Sequence, residues 1–153
     1  MKHVDIYTDG ACSNNPGKGG WAAILVYKSK EKIISGGYPE TTNNRMELFA
    51  VISGLLQLKE KCEVTIYSDS AYVLEPLMKG WIDLWQAKNW RTASNDPVKN
   101  VDLWKALLIE LNKHRVSFVK VKGHSDNEYN NRCDEIARKE ILKIKDNEGQ
   151  GNN

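Results

Sequence analysis

The sequence predicts one mixed α/β domain, in which an antiparallel meander of strands comes first and helix-connected strands follow. The chain has 153 residues, about the length of a single domain. Its first third alternates apolar and polar residues between clusters of turn formers, which is typical of strands. From residue 43 onward the apolar spacing changes to that of helices. The predicted element order is β-β-β-α-β-α-α-β-α.

The three strands of the meander come from the first part of the chain. Alternation over 4–8 predicts the first strand, and residues 9–20 are dense in turn formers. The strongly apolar run 21–27 predicts the second strand, and the charged cluster 28–32 predicts the turn after it. Residues 33–38 predict the third strand.

The rest of the chain alternates helices with strands. Apolar residues at helical spacing predict a helix over 43–61, and the β-branched run 63–67 predicts a fourth strand. The later predicted elements are a helix over 71–78 that contains Pro76, helical pieces over 81–85 and 100–113, a strand over 115–121 and a helix over 134–144. Strands joined by helices add in parallel to a sheet edge, and chemistry collects at the carboxyl ends of such strands.

Composition excludes several classes of protein. With 41% hydrophobic and 27% charged residues and a mean hydropathy of −0.56, the chain is not a collagen, a coiled coil or a disordered protein. The longest apolar run, 21–27, is too short to span a membrane, and Asp5 and Asp9 interrupt any N-terminal secretory signal. We therefore expect a cytoplasmic protein with no membrane contact. A monomer is expected for a domain with its own core.

The charge balance is nearly even. Lys and Arg number 22 against 20 Asp and Glu, a net charge of +2 at pH 7. That is too little to coat a nucleic acid by bulk charge, so a polyanionic partner would have to be met by a local patch. The three cysteines are scattered, without C-x-x-C spacing, and fit neither a disulfide framework nor a zinc site. Reduced thiols are expected.

Four acidic residues each have a plain structural explanation when they are read singly. In chain order, the explanations are an Asp-Gly turn for Asp9, a capping box for Glu47, a helix N-cap for Asp69 and a favourable helix-dipole contact for Asp134. Singly, each of these explanations is favoured over catalysis.

Together, the four acids predict a metal site. Two lie at predicted strand ends, and two lie in predicted first helical turns that could face the same sheet edge. Four converging carboxylates without neutralising bases would repel one another, and a hard divalent cation removes that repulsion. Carboxylates and water are the ligands that Mg²⁺ and Mn²⁺ prefer. The convergence is a hypothesis that spacing alone leaves open.

Five short motifs follow one another along the chain. They are TDGAC at 8–12, TNNRMEL at 42–48, SDS at 68–70, KGH at 122–124, and Asn130 followed by RCDEIA at 132–137. In type and order they closely resemble the motifs of bacterial type 1 ribonuclease H. The resemblance covers residues 1 to about 144, and its specific parts are the T-N-N-R-M-E run and the K-G-H followed ten residues later by Asp.

The resemblance implies a fold and an activity. The fold is a ribonuclease H-like mixed five-stranded sheet, an antiparallel meander plus two parallel strands, flanked by helices. It would occupy 1–145, and the polar tail over 146–153 is expected to be disordered because it has no apolar residue. The implied activity is endonucleolytic cleavage of the RNA strand of RNA–DNA hybrids, leaving 5′-phosphate and 3′-hydroxyl ends. It implies one or two Mg²⁺ ions per site as cofactor, with Mn²⁺ as an alternative.

The resemblance also assigns catalytic residues. By it, the metal ions are held by Asp9, Glu47, Asp69 and Asp134, and Asp9 is the best candidate to bridge two of them. Two ions about 3.5–4 Å apart activate the attacking water, neutralise the phosphoryl oxygens and stabilise the leaving oxygen. His124 becomes a proton shuttle or a product-release residue. Without the family it is an exposed loop histidine.

Two sets of residues are candidates for binding the hybrid. Ribose hydroxyls are read across a minor groove by backbone groups and small polar side chains, and the candidates are Cys12, Asn15, Thr42, Asn43, Asn44 and Asn130. The alternative for these residues is turn and cap chemistry. Residues 79–99 resemble the family's basic handle, with Trp81, Lys88, Arg91 and Lys99 as candidates, although helix packing is the alternative for Trp81. Because two acids offset the four basic residues of this segment, we expect weaker binding than is usual in the family.

Three rival functions are disfavoured. A proofreading-type 3′–5′ exonuclease needs a D-x-E pair on its first strand, which Asp9-Gly10-Ala11 lacks. A catalytically idle nucleic-acid-binding module would be expected to have lost at least one carboxylate. A structural metal-binding domain would not need the Asn-rich and Trp-bearing surfaces.

Overall fold

The computed structural model describes residues 1–123 and 127–145. Its elements, in chain order, are β1 (His3–Cys12), β2 (Gly17–Tyr27), β3 (Lys30–Thr41), α1 (Asn43–Leu56), β4 (Glu63–Ser68), α2 (Ala71–Met78), α3 (Trp81–Ala87), α4 (Val101–Leu111), β5 (Arg115–Lys120) and α5 (Glu128–Leu142). The predicted tail over 146–153 lies outside the described residues. Across the described ranges, none of the helices combines the length and apolar character that crossing a membrane requires.

The strands form one mixed sheet in the order β3-β2-β1-β4-β5. β1 pairs antiparallel with β2, and β2 pairs antiparallel with β3. β1 pairs parallel with β4, and β4 pairs parallel with β5. The predicted fold, a meander plus two parallel strands flanked by helices, is confirmed. β1 lies at the centre of the sheet, where it meets both the antiparallel and the parallel half.

The element ends differ from the prediction in two informative places. β1 continues through the expected turn to Cys12, because residues 9–12 pair with residues 19–22 of β2. Long-range pairing outweighs the local turn propensity of this Gly-rich stretch. The last helix begins at Glu128, six residues before its predicted start, because Asn127 caps it by accepting a hydrogen bond from the Asn130 backbone N–H.

Helices cover both faces of the sheet. On one face, α1, α2 and α4 build the larger core, and its largest fully buried side chain is Trp104. The Trp104 ring packs against Tyr72 of α2 and Trp85 of α3. On the other face, α5 packs Cys133 and Ala137 against the sheet. The sheet is therefore a middle layer between two layers of helices.

Gly20 of β2 lies at a close contact between α5 and the sheet. A β-carbon added to Gly20 would overlap the carbonyl oxygen of Ala137. The close fit lets the Cys133 thiol donate a hydrogen bond to the Tyr7 carbonyl at 3.3 Å. The position of α5, and of every side chain it carries toward the sheet, therefore depends on the missing side chain at residue 20.

Replacing Gly20 by Ala should lower the free energy of unfolding by about 1–3 kcal/mol, because the helix backbone must move away from β2. Gly37→Ala is the matched control on the paired strand and should cost less, because its added β-carbon would lie 3.1 Å from the flexible end of Ile144 and 3.2 and 3.4 Å from the carbonyl oxygens of Gly19 and Glu140. Urea denaturation measures both variants. Equal losses in the two would contradict the close contact of α5 with β2.

Candidate active site

Two of the four acids emerge from neighbouring parallel strands. Asp9 lies in β1, two residues beyond Tyr7, and Asp69 follows β4, two residues beyond Tyr67. Tyr7 and Tyr67 are register partners. The two acids therefore lie side by side at the carboxyl end of the parallel pair, the edge at which α/β sheets place their chemistry.

Glu47 reaches the same point from α1. This helix approaches β1 at Gly10, where an added β-carbon would lie 2.5 Å from the backbone nitrogen of Glu47. The start of α1 is fixed by Thr42, whose hydroxyl accepts a hydrogen bond from the Arg45 backbone N–H at 3.3 Å. Only glycine at residue 10 permits this contact, which sets Glu47 beside Asp9.

The three carboxylates form a compact cluster. One oxygen from each of Asp9, Glu47 and Asp69 lies within 4.8 Å of the others. Asp9 is 6% exposed and Glu47 is 5% exposed. The buried Glu47 Oε1 has no hydrogen-bond partner among the described residues, and an unpaired buried carboxylate oxygen is costly. This donor set fits a divalent cation, which prefers carboxylate oxygens.

The crowding of acids raises their proton affinity. Burial, then the charge of Asp69 and a hydrogen bond with Asp134, raise the pKa of Asp9 to about 8. Burial and then the charge of Asp9 raise the pKa of Glu47 well above its ordinary value. Without a cation, the cluster therefore holds protons near neutral pH, and a bound cation would displace them.

None of the four acids has the local role that it could have had singly. Asp9 pairs with Ala22 inside the sheet rather than forming a turn. Asp134 lies in the second turn of α5, away from the helix start. The side chains that cap the helices of the site are those of Thr42, Ser70 and Asn127. Neither Glu47 nor Asp69 caps a helix.

Asp134 lies beside the cluster, but its carboxylate is not one of the three that lie within 4.8 Å of one another. The charge of Asp134 acts on Asp9 and contributes to the raised pKa of Asp9. Its two carboxylate oxygens also accept from Nε of Arg138, one turn along α5, at 3.1 and 3.0 Å. In the described part of the chain, the carboxylates within 4.8 Å of one another are those of the other three acids. The structure thus brings the predicted fourth ligand to the site, paired with a basic side chain of its own helix.

Asn130 lies behind the acids rather than on the surface. It is 8% exposed, and its Nδ2 donates to the backbone carbonyls of Thr8 and Tyr67, both at 3.3 Å. These carbonyls belong to the two parallel strands, just before Asp9 and Asp69. The Asn130 side chain therefore holds together the strand segments that carry two of the acids. Its predicted contact with nucleic acid stays a prediction.

Several predicted binding residues gather at the start of α1. Asn15, Thr42, Asn43, Asn44, Lys99 and Asn100 line a cavity of about 470 Å³. The Asn15 Oδ1 accepts a hydrogen bond from the Asn43 backbone N–H at 2.8 Å. Cap chemistry and an exposed polar groove thus coexist here. The thiol of Cys12, by contrast, is turned toward backbone carbonyls, including that of Asn14 at 2.6 Å.

The segment that resembles a handle carries a second groove. Trp81, Leu84, Trp85, Lys88, Arg91 and Ala93 line a cavity of about 410 Å³. Trp81 is 38% exposed and Leu84 is 63% exposed, so the floor of this groove is apolar. Lys99 faces the α1 cavity instead. The predicted basic set is therefore divided between two surfaces.

His124 lies outside the described residues, and its role stays a prediction. The sequence interpretation missed three residues that shape the site. Gly10 admits α1, Arg138 pairs with Asp134, and Arg45 binds Asp102 of α4 through two nitrogens, at 3.0 and 2.8 Å. Only Arg138 had a signal in the sequence, its i,i+4 spacing from Asp134 on a predicted helix.

Comparison with known proteins identifies the family and the fold. The RNase H family matches residues 1–142. The Ribonuclease H of Chlorobium phaeobacteroides is 57% identical over 141 residues, covering 92% of this chain and 97% of the relative. That of Acetivibrio thermocellus is 55% identical over 143 residues, covering 94% and 97%. That of Caldicellulosiruptor saccharolyticus is 56% identical over 145 residues, covering 95% and 100%.

Solved structures show the same fold. LC9-RNase H1, a type 1 RNase H with the type 2 active-site motif, superposes with a TM-score of 0.82 at 26% identity, covering 93% of this chain and 73% of its own. LC11-RNase H1, solved in complex with an RNA/DNA hybrid, has a TM-score of 0.66 at 22% identity, covering 92% and 97%.

The mixed sheet, the acidic cluster and these relatives define the class of protein, a hydrolytic nuclease. The chain belongs to the ribonuclease H family. Both the predicted family and the predicted enzyme class are confirmed.

The raised pKa values predict how stability depends on pH in metal-free buffer. In the unfolded chain these carboxyls ionise near pH 4, whereas Asp9 retains its proton to about pH 8 in the folded protein. Between these values the folded state binds more protons, so the free energy of unfolding falls as pH rises, by up to about 1.4 kcal/mol per pH unit for each group. Urea denaturation with a chelator from pH 5 to 8 measures the slope. Asp9→Asn should flatten it, and equal slopes in both proteins would contradict the raised pKa.

Proposed function

We propose that this chain cleaves the RNA strand of RNA–DNA hybrids at a divalent-metal site formed by Asp9, Glu47, Asp69 and Asp134. The observation that carries the proposal is the cluster of three carboxylates within 4.8 Å, with a buried Glu47 oxygen that lacks a partner in the described residues. Sequence identity above 50% to curated relatives named Ribonuclease H supports it.

The reaction is hydrolysis of a phosphodiester bond. Water oxygen bonds to phosphorus, the bond from phosphorus to the 3′-oxygen breaks, and that oxygen takes up a proton. The products carry 5′-phosphate and 3′-hydroxyl ends. Bound Mg²⁺ or Mn²⁺, one or two ions, would activate the water and offset the negative charge of the phosphoryl and leaving oxygens.

The acids have distinct positions around that chemistry. Asp9 lies next to Glu47, Asp69 and Asp134, so it is the best placed to contact two ions. Glu47 and Asp9 are nearly excluded from water, which strengthens their interaction with a cation. Asn130 holds the strand segments before Asp9 and Asp69 at a fixed separation. Preorganised ligands of this kind avoid reorganisation during the reaction.

Hybrid binding is proposed for two grooves, the cavity at the start of α1 and the handle groove. The cavity at the start of α1 offers asparagine side chains and one lysine, groups that hydrogen-bond to ribose and phosphate. The handle groove offers tryptophan surface with Lys88 and Arg91. LC11-RNase H1 was solved with an RNA/DNA hybrid on the same fold. A cytoplasmic location, a monomeric state and a proton-transfer role for His124 stay predictions from the sequence.

One assay separates this function from its rivals. Labelled RNA–DNA hybrid, duplex DNA, duplex RNA and both single strands are incubated with and without Mg²⁺. Cleavage of the RNA strand of the hybrid, at internal positions and only with metal, is the expected result. Shortening from 3′ ends would indicate an exonuclease, and binding without cleavage would indicate an idle binding module.

Replacing Asp9 by Asn should lower kcat on the hybrid by at least about 1,000-fold, because it removes the acid that contacts all the others. Hybrid binding should remain measurable, since the change is isosteric. The matched control is Asp5→Asn, an acid of the same strand that pairs with His3 instead. Near wild-type turnover of the Asp9 variant in saturating Mg²⁺ would refute the assignment.

Replacing Asp96 by Lys should lower KM for the hybrid about twofold to threefold at moderate salt with little change in kcat, the result of added uniform binding. Asp96 lies in the exposed turn after the handle groove, where it accepts a hydrogen bond from Ser94. The neighbouring Asn95 is left in place because its φ of 68° disfavours lysine.

The gain should shrink as salt rises, because exposed charges are screened. Glu60→Lys is the control with the same change in charge. It lies before β4, at the opposite end of that strand from Asp69. If both variants lower KM equally, the effect belongs to net charge and not to the handle.

A further inference from the structure

Asp134 and Arg138 form an ion pair at the edge of the acidic cluster. Nε of Arg138 donates to both carboxylate oxygens of Asp134, at 3.1 and 3.0 Å. The pair spans one turn of α5, and the side chains are 63% exposed for Arg138 and 27% exposed for Asp134. Both oxygens that a metal ion would use on Asp134 are therefore already in contact with a cation.

The ion pair with Arg138 distinguishes Asp134 from the other three acids. Asp9, Glu47 and Asp69 place oxygens within 4.8 Å of one another, without Asp134 among them in the described part of the chain. Asp134 nevertheless lines the same cavity as Gly10, the residue that follows Asp9. It is thus close enough to join a cation on Asp9 and is held by a basic side chain instead.

The surroundings give Arg138 room to leave. Asp134 and Arg138 line a cavity of about 360 Å³ together with Gly10, Ser13 and Asn43. The Arg138 side chain is 63% exposed, so water can replace Asp134 around the guanidinium when the pair opens. A long side chain in open space can change its rotamer without moving α5.

We infer that Arg138 is a positioning residue that competes with a divalent cation for Asp134. The inference rests on the proposed metal site and adds a regulation of it. Without metal, Arg138 neutralises Asp134 and reduces repulsion against Asp9. When a cation binds the three buried acids, Asp134 exchanges the guanidinium for the cation. The ion pair thereby weakens metal binding and keeps the fourth ligand ordered until metal arrives.

The test measures Mn²⁺ binding to the full chain in the absence of nucleic acid, by electron paramagnetic resonance of the free ion at low salt. Arg138→Gln should lower the Kd for Mn²⁺ about twofold to fivefold, the range expected when an exposed ion pair is removed. Arg132→Gln is the matched control, since Arg132 lies on the same helix and pairs with Glu31 through two nitrogens at 3.1 and 2.9 Å. Its Kd should stay within about 1.5-fold of wild type.

A double variant separates the ion pair from a general charge effect. In the Asp134→Asn background, Arg138→Gln should leave the Kd unchanged, because the competed carboxylate is gone. An unchanged or raised Kd in Arg138→Gln alone, or a shift that persists with Asp134→Asn, would overturn the inference. Circular dichroism of each variant checks the fold.

The outcome is distinguishable from failure of the proposed function. If the wild-type chain binds Mn²⁺ with the expected order of variants but cleaves no hybrid, the proposed substrate is wrong and the competition stands. If the wild-type chain binds no Mn²⁺, the metal site and the competition are both refuted.

Discussion

Mutual repulsion among buried carboxylates is the constraint around which the rest of this structure is arranged. The parallel register of β1 and β4 sets Asp9 beside Asp69, and the contact of α1 with Gly10 adds Glu47. Like charges this close, in a site nearly excluded from water, favour the protonated form of a carboxyl group. The pKa of Asp9 is raised accordingly. This destabilising arrangement leaves a buried Glu47 oxygen without a partner among the described residues, and the set of carboxylate oxygens fits a divalent cation.

Uncharged groups hold the backbone segments that carry the acids. Asn130 bonds the carbonyls of Thr8 and Tyr67, which fixes the separation of the two strands. Gly20 lets α5 lie against β2, and that packing brings Asp134 toward Asp9. None of these groups carries charge, so none of them neutralises the acids. The residues that fix the positions of the acids therefore differ from the one that offsets their charge, which among the described contacts of Asp134 is the exposed Arg138.

Periodicity predicted the order of the strands, since apolar spacing reports which face is buried, although the predicted element order has two helices between the fourth and fifth strands and the structure has three. It did not predict that β1 runs on to Cys12, because that extension depends on pairing with residues far along the chain. The four acids were identified from short motifs and their resemblance to one family. The exclusion of Asp134 from the compact cluster could not be read from the sequence, since it depends on a rotamer and a pairing in space. The same holds for Lys99, which belongs to the handle in sequence and to the α1 cavity in the structure.

The surfaces proposed to bind nucleic acid and the acidic cluster proposed to cleave it carry different amounts of charge. The handle groove presents two basic side chains over an apolar floor, and the α1 cavity presents one lysine among asparagines. If the hybrid lies in these two grooves, as proposed, few phosphates are neutralised directly, and counterion release contributes less to binding than in a strongly basic protein. Hydrogen bonds to sugar and backbone have to supply much of the remaining affinity, and these require an ordered duplex of the right shape. A weakly charged binding surface thus favours recognition of the substrate by the shape of its duplex over recognition by phosphate charge.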